Sequence, residues 1–466
     1  MTTQISAEQR TTININPSTG EELARIPCAT QDEVLHAVAV ARKAQPAWAA
    51  LGFDARAQCL LRVAERSENP DVIEHLANLV TAEMGKPLAD ARREAAGTSG
   101  NIRRLAASCA EALAESTTYE DHEAATITRE PLGVVAAITP WNFPLGMTRE
   151  VITPALLAGN TVVFKPSEIV PLSGAALYEL FEAELPKGVI SLVQGDESTG
   201  KALVSSSVDM VGFVGSVEAG RHIMSACGAD LKRMVLELGG KDPMIVCADA
   251  DLEKAASFAV RESMRNTGQV CCSVERIYVE QEIVEPFTDL VVEKTKELLV
   301  GDGKEDVFMG PMASKNQLQN VLGQIEDARS KGARVLLGGG SKEGPGWFMQ
   351  PTVVTDVADD MDLMRRETFG PVATIRTVDS ADEAVLLANE SEFGLGASVW
   401  TGDVKRGRML AARLESGQVG VNHGLGGAGD TPWAGAKQSG FGFLGSPDGY
   451  RQFTRPRSIF WTEEPA

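Results

Sequence analysis

The 466-residue sequence lacks any apolar run near the about 18–20 residues that a membrane-spanning helix needs. Positive charge is also scarce, because 44 lysines and arginines stand against 64 aspartates and glutamates, for a net charge of −20. Such a charge repels phosphate backbones and anionic lipids, so we expect neither nucleic acid nor a membrane surface as a partner. The first residues, MTTQISAEQRTTIN, show no basic segment followed by an apolar one, and we expect no secretory signal.

Candidate metal ligands and disulfide partners are few. The seven cysteines are an odd number, and they are scattered without a Cys-x-x-Cys pair or a Cys/His cluster of zinc spacing. We therefore expect free thiols, no metal site and a cytoplasmic location, where thiols stay reduced. Only five histidines are present, which leaves few candidates for a histidine general base.

The order of apolar segments indicates the fold class. Residues 31–113 show the i, i+3, i+4, i+7 spacing of amphipathic helices. After residue 124, apolar strand-like runs alternate with helical segments, as in parallel sheets with crossover helices. The sequence therefore predicts an α/β fold, and the glycine pair that ends near residue 240 marks the start of a second α/β block.

A turn that contains Gly268 carries two adjacent thiols, Cys271 and Cys272. Small neighbours let a substrate carbonyl approach a thiol, so either sulfur is a candidate nucleophile. The alternative is that each cysteine is a small buried apolar residue.

Two other residues suit acid–base and oxyanion chemistry. Glu237 lies between leucines at the end of a predicted strand, where burial would raise its pKa towards that of a useful general base. The alternative is a strand residue that faces solvent. Asn142 lies between Pro140 and Pro144, and a rigidly held amide suits a developing oxyanion, although aromatic proline turns are common in loops.

Three segments are candidates for holding a nucleotide. Lys165–Glu168 follows a predicted strand, at the carboxyl end where α/β sheets bind ligands; solvated charges are the alternative. Gly215–Gly220 joins a strand to a helix, where phosphate binds, but its glycine spacing is not that of the usual dinucleotide motif. Glu367–Pro371 offers a carboxylate and an aromatic ring to a cofactor, or forms an ordinary turn.

Taken in order, six motifs resemble those of the NAD(P)-dependent aldehyde dehydrogenases, over nearly the whole chain. The motifs are PWNFP (140–144), FVGS (213–216), LELGG (236–240), Asn-x-Gly-Gln-x-Cys (266–271), ETFGP (367–371) and Gly-x-Val-x-Val-Asn (417–422). The succinate-semialdehyde dehydrogenases are one group that the chain resembles. A departure from the family pattern is Trp433, where phenylalanine is usual, which leaves the shape of the substrate open.

The resemblance implies roles for single residues. Cys271 would be the nucleophile, Glu237 the general base, and Asn142 with the Cys271 N–H the oxyanion hole. The implied cofactor is NAD, with NADP left open, because the carboxylate of Glu168 would repel a 2′-phosphate. Arg149 is a candidate ligand for a substrate carboxylate, with a surface arginine on a helix as the alternative. The implied cofactor-binding residues are Trp141, Lys165, Ser167, Glu168, Gly215, Ser216, Glu367 and Phe369.

The resemblance also implies the reaction and the assembly. An aldehyde is oxidised to the acid through a thiohemiacetal and a thioester on the cysteine, and activated water hydrolyses the thioester. A CoA-acylating relative, which typically lacks the LELGG glutamate, and a non-enzymatic member are the alternatives. The expected partners are a small aldehyde and further copies in a homodimer or homotetramer. The implied domains are a Rossmann-like NAD(P)-binding domain (1–118 and 138–239), an α/β catalytic domain (240–432) and a β oligomerisation ribbon with a tail (119–137 and 445–466).

Overall fold

The computed structural model describes residues 10–121, 123–426 and 429–462. The predicted domain ends at residues 1–9 and 463–466 lie outside this range. The strands are β1 (Thr11–Ile15), β2 (Glu22–Pro27), β3 (Ser116–Glu120), β4 (Glu123–Pro131), β5 (Val134–Ile138), β6 (Thr161–Lys165), β7 (Ile190–Leu192), β8 (Met210–Val214), β9 (Arg233–Glu237), β10 (Asp242–Val246), β11 (Val274–Glu280), β12 (Arg334–Leu337), β13 (Thr352–Thr355), β14 (Val372–Val378), β15 (Phe393–Gly394), β16 (Gly396–Trp400), β17 (Gln418–Val421), β18 (Trp433–Ala434), β19 (Ala436–Lys437), β20 (Gly440–Phe441), β21 (Phe443–Leu444) and β22 (Thr454–Thr462).

Helices fill most of the remaining chain. They are α1 (Gln31–Ala50), α2 (Gly52–Ser67), α3 (Pro70–Met84), α4 (Leu88–Ala112), α5 (Gly146–Leu157), α6 (Pro171–Glu182), α7 (Glu197–Ser205), α8 (Val217–Ala229), α9 (Leu252–Met264), α10 (Val284–Lys296), α11 (Lys315–Ser330), α12 (Asp362–Arg365), α13 (Ala381–Asn389), α14 (Val404–Ala411) and α15 (Ser446–Arg451), with two short 3₁₀ helices at Arg265–Gly268 and Gln281–Ile283.

The first sheet has six strands in the order β20-β9-β8-β5-β6-β7. Five of its strands run parallel to one another: β9, β8, β5, β6 and β7. The edge strand β20 pairs with β9 in the antiparallel direction. Every residue of β5, β6 and β8 is buried, because helices cover both faces of the sheet. The register aligns Ile138 with Lys165 and Phe213, and Val214 with Glu237, so the loops that follow these strands leave from one edge.

The second sheet has seven strands in the order β12-β13-β14-β11-β10-β16-β17, all parallel except β12. Helices α9 and α10 pack on one side of it, and their apolar side chains join those of β10 and β11 in one buried cluster. The observed order of parallel strands and crossover helices confirms the predicted α/β class.

A third sheet is separate from both, with three antiparallel strands in the order β22-β4-β3. The predicted ribbon, 119–137, has the wrong boundary, because Val134–Ile138 is a central strand of the six-stranded sheet. The physical difference lies in burial: β5 is fully buried, whereas β3 is exposed along its whole length. The predicted tail also divides, since Ser446–Arg451 is a helix and only Thr454–Thr462 joins the ribbon.

Among the described residues, no helix combines the length and the apolar character that crossing a membrane requires.

Candidate active site

The loops at the carboxyl ends of β5, β6, β8 and β9 open onto a cavity of about 720 Å³, a size typical of cofactor sites. The second α/β block closes the cavity from the other side with Cys271, Gln317, Glu367 and Phe369. Eleven of the twelve site residues expected from the sequence line this cavity: Trp141, Asn142, Lys165, Ser167, Glu168, Gly215, Ser216, Glu237, Cys271, Glu367 and Phe369.

A left-handed turn before Cys271 brings the thiol to the cavity. Asn266, Thr267 and Gly268 have φ values of +52°, +58° and +68°. A side chain at Gly268 would put its Cβ 2.1 Å from the carbonyl oxygen of Gly370, so this position requires glycine. The Asn266 amide closes the turn by donating to the Gln269 carbonyl at 3.1 Å.

The Cys271 thiol keeps its proton more strongly than an ordinary cysteine. Its interaction with the neighbouring Cys272 thiol raises the pKa of Cys271, and burial and the nearby carboxyls of Asp242 and Glu237 raise it further. Cys271 therefore rests as a thiol and needs a proton acceptor before it can attack.

Glu237 ends β9 and is only 3% exposed. The backbone N–H of Leu444 donates to its Oε1 at 3.3 Å, and within the described parts of the chain its Oε2 has no hydrogen-bond partner. Burial raises the pKa of Glu237 well above its ordinary value. A carboxyl with a raised pKa that lines the same cavity as a thiol fits a general base.

Asn142 is held from several directions. Its side-chain Nδ2 donates to the backbone carbonyl of Gln269 at 3.1 Å. Its backbone carbonyl oxygen accepts from Lys86 Nζ at 2.8 Å and from Asn266 Nδ2 at 3.2 Å. An amide group has two N–H bonds, so one remains for an oxygen in the cavity. Asn142 is 5% exposed, and this burial strengthens any hydrogen bond that it makes there.

The far end of the cavity suits a nucleotide. Ser216 caps the 13-residue helix α8, whose positive N-terminus faces the cavity and favours phosphate. Lys165 Nζ lies 3.8 Å from the Glu168 carboxylate, and burial lowers the pKa of this lysine. Glu168 is half-exposed at the rim, where it can accept hydrogen bonds from a ribose.

A buried ion pair fixes the loop that carries Glu367 and Phe369. Glu275 accepts from Lys241 Nζ at 2.6 Å and from the backbone N–H groups of Thr368 and Phe369 at 2.8 Å each. The pair keeps the Phe369 ring edge-on to Trp141, with 5.4 Å between the ring centroids.

The carboxyl of Glu367 accepts from the Gly240 N–H at 3.1 Å, and burial raises the pKa of Glu367 to about 8. A Cβ on Gly239 would lie 2.4 Å from this carboxyl, so glycine permits the approach. The cavity thus combines a positive helix end for phosphate, the carboxyl groups of Glu168 and Glu367 as hydrogen-bond partners for ribose, and an aromatic pair, and this set fits a nicotinamide dinucleotide.

Arg149 is the one expected site residue that the structure does not bring to this cavity. It lies in α5, 6% exposed, and its Nη1 donates to the carbonyl of Glu94 at 2.9 Å and to Thr98 Oγ1 at 2.6 Å. The guanidinium thus joins α5 to α4. This contact corrects two expectations, that Arg149 binds a substrate carboxylate and that it is a surface arginine on a helix.

The sequence did not predict a second cavity, of about 520 Å³, that lies beside Cys272. Cys272 and Arg265 line it, and Trp433 lines both cavities. Arg265 directly precedes the Asn-x-Gly-Gln-x-Cys motif. This position next to the candidate nucleophiles was the sequence signal that could have indicated Arg265 as a site residue. Its Nε donates to Glu262 at 2.6 Å, and its Nη2 lies 3.8 Å from the Cys272 sulfur.

Comparison with known proteins agrees with this site. The sequence model described as the aldehyde dehydrogenase family matches residues 4–459. A probable succinate-semialdehyde dehydrogenase [NADP(+)] from Sinorhizobium fredii is 38% identical over 94% of this chain and 90% of that protein. A betaine aldehyde dehydrogenase from the same species is 39% identical over 96% and 93%. The crystal structure of lactaldehyde dehydrogenase from Escherichia coli has a TM-score of 0.94 and 33% identity, covering 97% of this chain and 96% of that one.

The chain belongs to the aldehyde dehydrogenase family. It is an oxidoreductase that acts on aldehydes with a nicotinamide dinucleotide. The expected family is thereby confirmed.

Proposed function

We propose that this enzyme converts an aldehyde to the free acid by covalent catalysis at Cys271, with Glu237 as the base and Asn142 as the oxyanion donor. The observation that carries the proposal is the meeting of these three side chains at one cavity. Each has the property its role needs: a thiol in reach of solvent, a buried carboxyl with a raised pKa, and a fixed amide.

In the first half of the reaction, Glu237 takes the thiol proton and the Cys271 sulfur bonds to the aldehyde carbon. The carbonyl oxygen becomes an oxyanion, which the free N–H of the Asn142 amide and the backbone N–H of Cys271 stabilise. A nicotinamide bound in the cavity supplies the acceptor for the hydride, and a thioester is left on Cys271. Glu237 then releases the thiol proton to solvent. In the second half, it takes a proton from water as the water oxygen bonds to the thioester carbon. The carbon–sulfur bond breaks to release the acid, and the Cys271 thiolate takes the proton back from Glu237.

The decisive experiment uses Glu237→Gln in a pre-steady-state burst measurement. Water is a poor nucleophile, so loss of the base should slow hydrolysis by roughly 10²–10⁴-fold. We expect up to one equivalent of reduced cofactor per site, followed by very slow turnover. The burst should be slower than that of the wild type, because Glu237 also takes the thiol proton, but it should remain faster than the steady turnover.

Steady turnover of Glu237→Gln at the wild-type rate would contradict the hydrolytic mechanism. A wild-type enzyme that is inactive until CoA is added would favour the acyl-transfer alternative. Full activity of a Cys271→Ala variant would exclude covalent catalysis at this residue.

For the cofactor, we propose a preference for NAD over NADP. The carboxylate of Glu168 lies at the rim beside Lys165, where a 2′-phosphate would meet like charge. Relatives include enzymes described as dependent on NADP and on NAD, such as the NAD-dependent aldehyde dehydrogenase from Sinorhizobium meliloti with a TM-score of 0.93 and 35% identity.

For the substrate, we propose a semialdehyde whose carboxylate is bound by Arg265 in the second cavity. Arg261 and Arg265 line this cavity with one carboxylate, Glu262, and burial raises the pKa of the remaining acid, Asp242. When the Asp242 carboxyl is protonated, the two arginines exceed Glu262 by one positive charge, which favours an anion over the cationic betaine aldehyde.

Arg265→Gln should therefore lower kcat/KM for succinic semialdehyde at least tenfold and leave kcat/KM for butanal within about twofold. Arg261→Gln is the matched control, because this arginine lines the same cavity but is more exposed. An equal loss for both aldehydes would show that Arg265 does not recognise the carboxylate.

We also propose that the ribbon of β3, β4 and β22 joins copies of the chain into a homodimer or homotetramer. Support comes from large apolar side chains that remain exposed on it, with Tyr119 at 62% and Phe460 at 79%. The cytoplasmic location stays a prediction.

A further inference from the structure

A buried ion pair lies behind the Asn142 loop, outside the cavity. Lys86 joins α3 to α4, and Glu94 lies two turns further along α4; their side chains are only 2% and 7% exposed. Lys86 Nζ donates to Glu94 Oε2, and it also lies 4.0 Å above the ring of Phe143. Neither residue lines the cavity described above.

Lys86 binds the backbone of the PWNFP loop, and Glu94 binds the backbone of the two residues that follow it. Lys86 Nζ donates to the carbonyl oxygen of Asn142 at 2.8 Å. Glu94 Oε1 accepts from the backbone N–H groups of Leu145 and Gly146 at 3.0 and 2.8 Å, where α5 begins. The pair therefore holds the loop at its middle, through a cation on a carbonyl, and just after its last residue, through an anion on a helix N-terminus.

The hydrogen bond from Lys86 to the Asn142 backbone carbonyl fixes the position of the Asn142 side-chain amide. The carbonyl that Lys86 holds belongs to the same residue as the amide that faces the cavity, so a shift of the peptide moves the amide with it. Asn266 binds the same carbonyl more weakly, at 3.2 Å, and cannot replace a buried cation. Oxyanion donors act only within a few tenths of an ångström of their proper place.

We propose that Lys86 and Glu94 are positioning residues that hold the Asn142 amide in the geometry for oxyanion stabilisation. The inference rests on the proposed role of Asn142. Neither residue touches the substrate, and their contribution reaches the reaction only through the loop.

The test is a double-mutant cycle that measures the acylation rate as the burst of reduced cofactor. Lys86→Met should slow the burst about 10–100-fold, because removal of one whole oxyanion donor costs about 10²–10³-fold. In an Asn142→Ala background, Lys86→Met should slow it by less than about threefold, since the amide it positions is gone. KM for the dinucleotide should stay within about twofold in both backgrounds.

Arg56→Met is the matched control. Arg56 is also a buried cation that binds carbonyls, including Leu157 at the other end of α5, at 3.0 Å. This control should lower the melting temperature without slowing the burst. If Lys86→Met does not fold, Glu94→Gln keeps an acceptor for the two N–H groups and should give a smaller loss in the same cycle.

An equal loss from Lys86→Met in both backgrounds, or no loss in the wild-type background, would overturn the inference. A wild-type burst rate in Asn142→Ala alone would instead overturn the proposed role of Asn142, and the inference with it. The Asn142→Ala variant thus distinguishes failure of the inference about Lys86 and Glu94 from failure of the proposed role of Asn142.

Discussion

At the scale of single residues, the two adjacent thiols differ in their surroundings. Cys271 lines the cavity with Glu237 and Asn142, whereas Cys272 lines the second cavity beside Arg265. We expect Cys271→Ala to abolish aldehyde oxidation and to keep dinucleotide binding, measured by fluorescence titration. Cys272→Ala should retain at least about a tenth of the wild-type kcat, because it removes neither the nucleophile nor the base. The reverse pattern would assign the nucleophile to Cys272.

Glu168 is the carboxylate at the rim of the cavity beside Lys165. Glu168→Ser removes the carboxylate that would repel a 2′-phosphate, and it keeps a small hydroxyl for the ribose. We expect kcat/KM with NADP to rise about tenfold and that with NAD to fall, because one ribose acceptor is weakened. Lys201→Met is a control on the same cavity wall that leaves this carboxylate in place. Better use of NADP than of NAD by the wild type would refute the assignment.

Which residues could be found from the sequence depends on the distance to their partners. Lys165, Gly215 and Glu237 each end or follow a strand, and parallel strands bring such positions together by a general rule. Lys86 contacts a residue 56 positions away, and Lys241 binds a side chain 34 positions away. No local pattern encodes such pairs, so only the folded chain reveals them.

At the scale of elements, the N-terminus of α6 depends on a carboxyl from another helix. Val170, which precedes the helix, has no polar side-chain atom to cap it. Glu83 of α3 accepts instead from the N–H groups of Leu172 and Ser173, at 2.7 Å each. Glu83 is fully buried, and this burial raises its pKa to about 7 from an ordinary 4.5.

This shift predicts a pH dependence of stability. Because the folded pKa lies above the unfolded one, the stability linked to this proton is complete below pH 4.5 and is lost as the pH rises through about 7. The loss is on the order of 3 kcal/mol. Glu83→Gln cannot titrate, so the melting temperature of the wild type minus that of the variant should be smaller at pH 8 than at pH 5. A difference that does not change with pH would contradict this account.

The boundaries of elements were harder to predict than their existence. The predicted alternation of strands and helices after residue 124 appears in the structure as the series β6, α6, β7, α7, β8, α8 and β9. The ribbon boundary was wrong because β4 and β5 are adjacent in sequence and both extended, so only the partner strand separates them. β4 pairs with β22, more than 300 residues away, while β5 pairs with β6 and β8.

In the whole molecule, the cavity lies where the two α/β blocks meet, because residues of both blocks line it. The first sheet contributes strand ends, and the second contributes the Cys271 turn and the Glu367 loop. Three glycines permit close contacts that a side chain would block. Gly239 lies against the carboxyl of Glu367, Gly240 lies against the backbone carbonyl of Cys271, and Gly268 lies against the backbone carbonyl of Gly370. The site is therefore a property of the assembled domains, and neither block could hold it alone.

β22 is an edge strand of nine residues, and eight of them are exposed, including Phe460. A long exposed edge with apolar side chains pairs readily with another chain unless something covers it. We propose a second copy as the cover, and we expect light scattering after size-exclusion chromatography to give the mass of a dimer or tetramer. Phe460→Asp should reduce that mass.

Leu386→Asp is the matched control, because Leu386 is 64% exposed in α13 and belongs to neither the ribbon nor the cavity. It should leave the mass unchanged. Each copy carries a net charge of −20, so two copies repel each other. Added salt should screen this repulsion. For the Phe460→Asp variant, salt should therefore shift the equilibrium from the monomer towards the oligomer. A monomeric wild type at micromolar concentration would refute the proposed interface, whereas a mass unchanged by Phe460→Asp would move the contact to another surface.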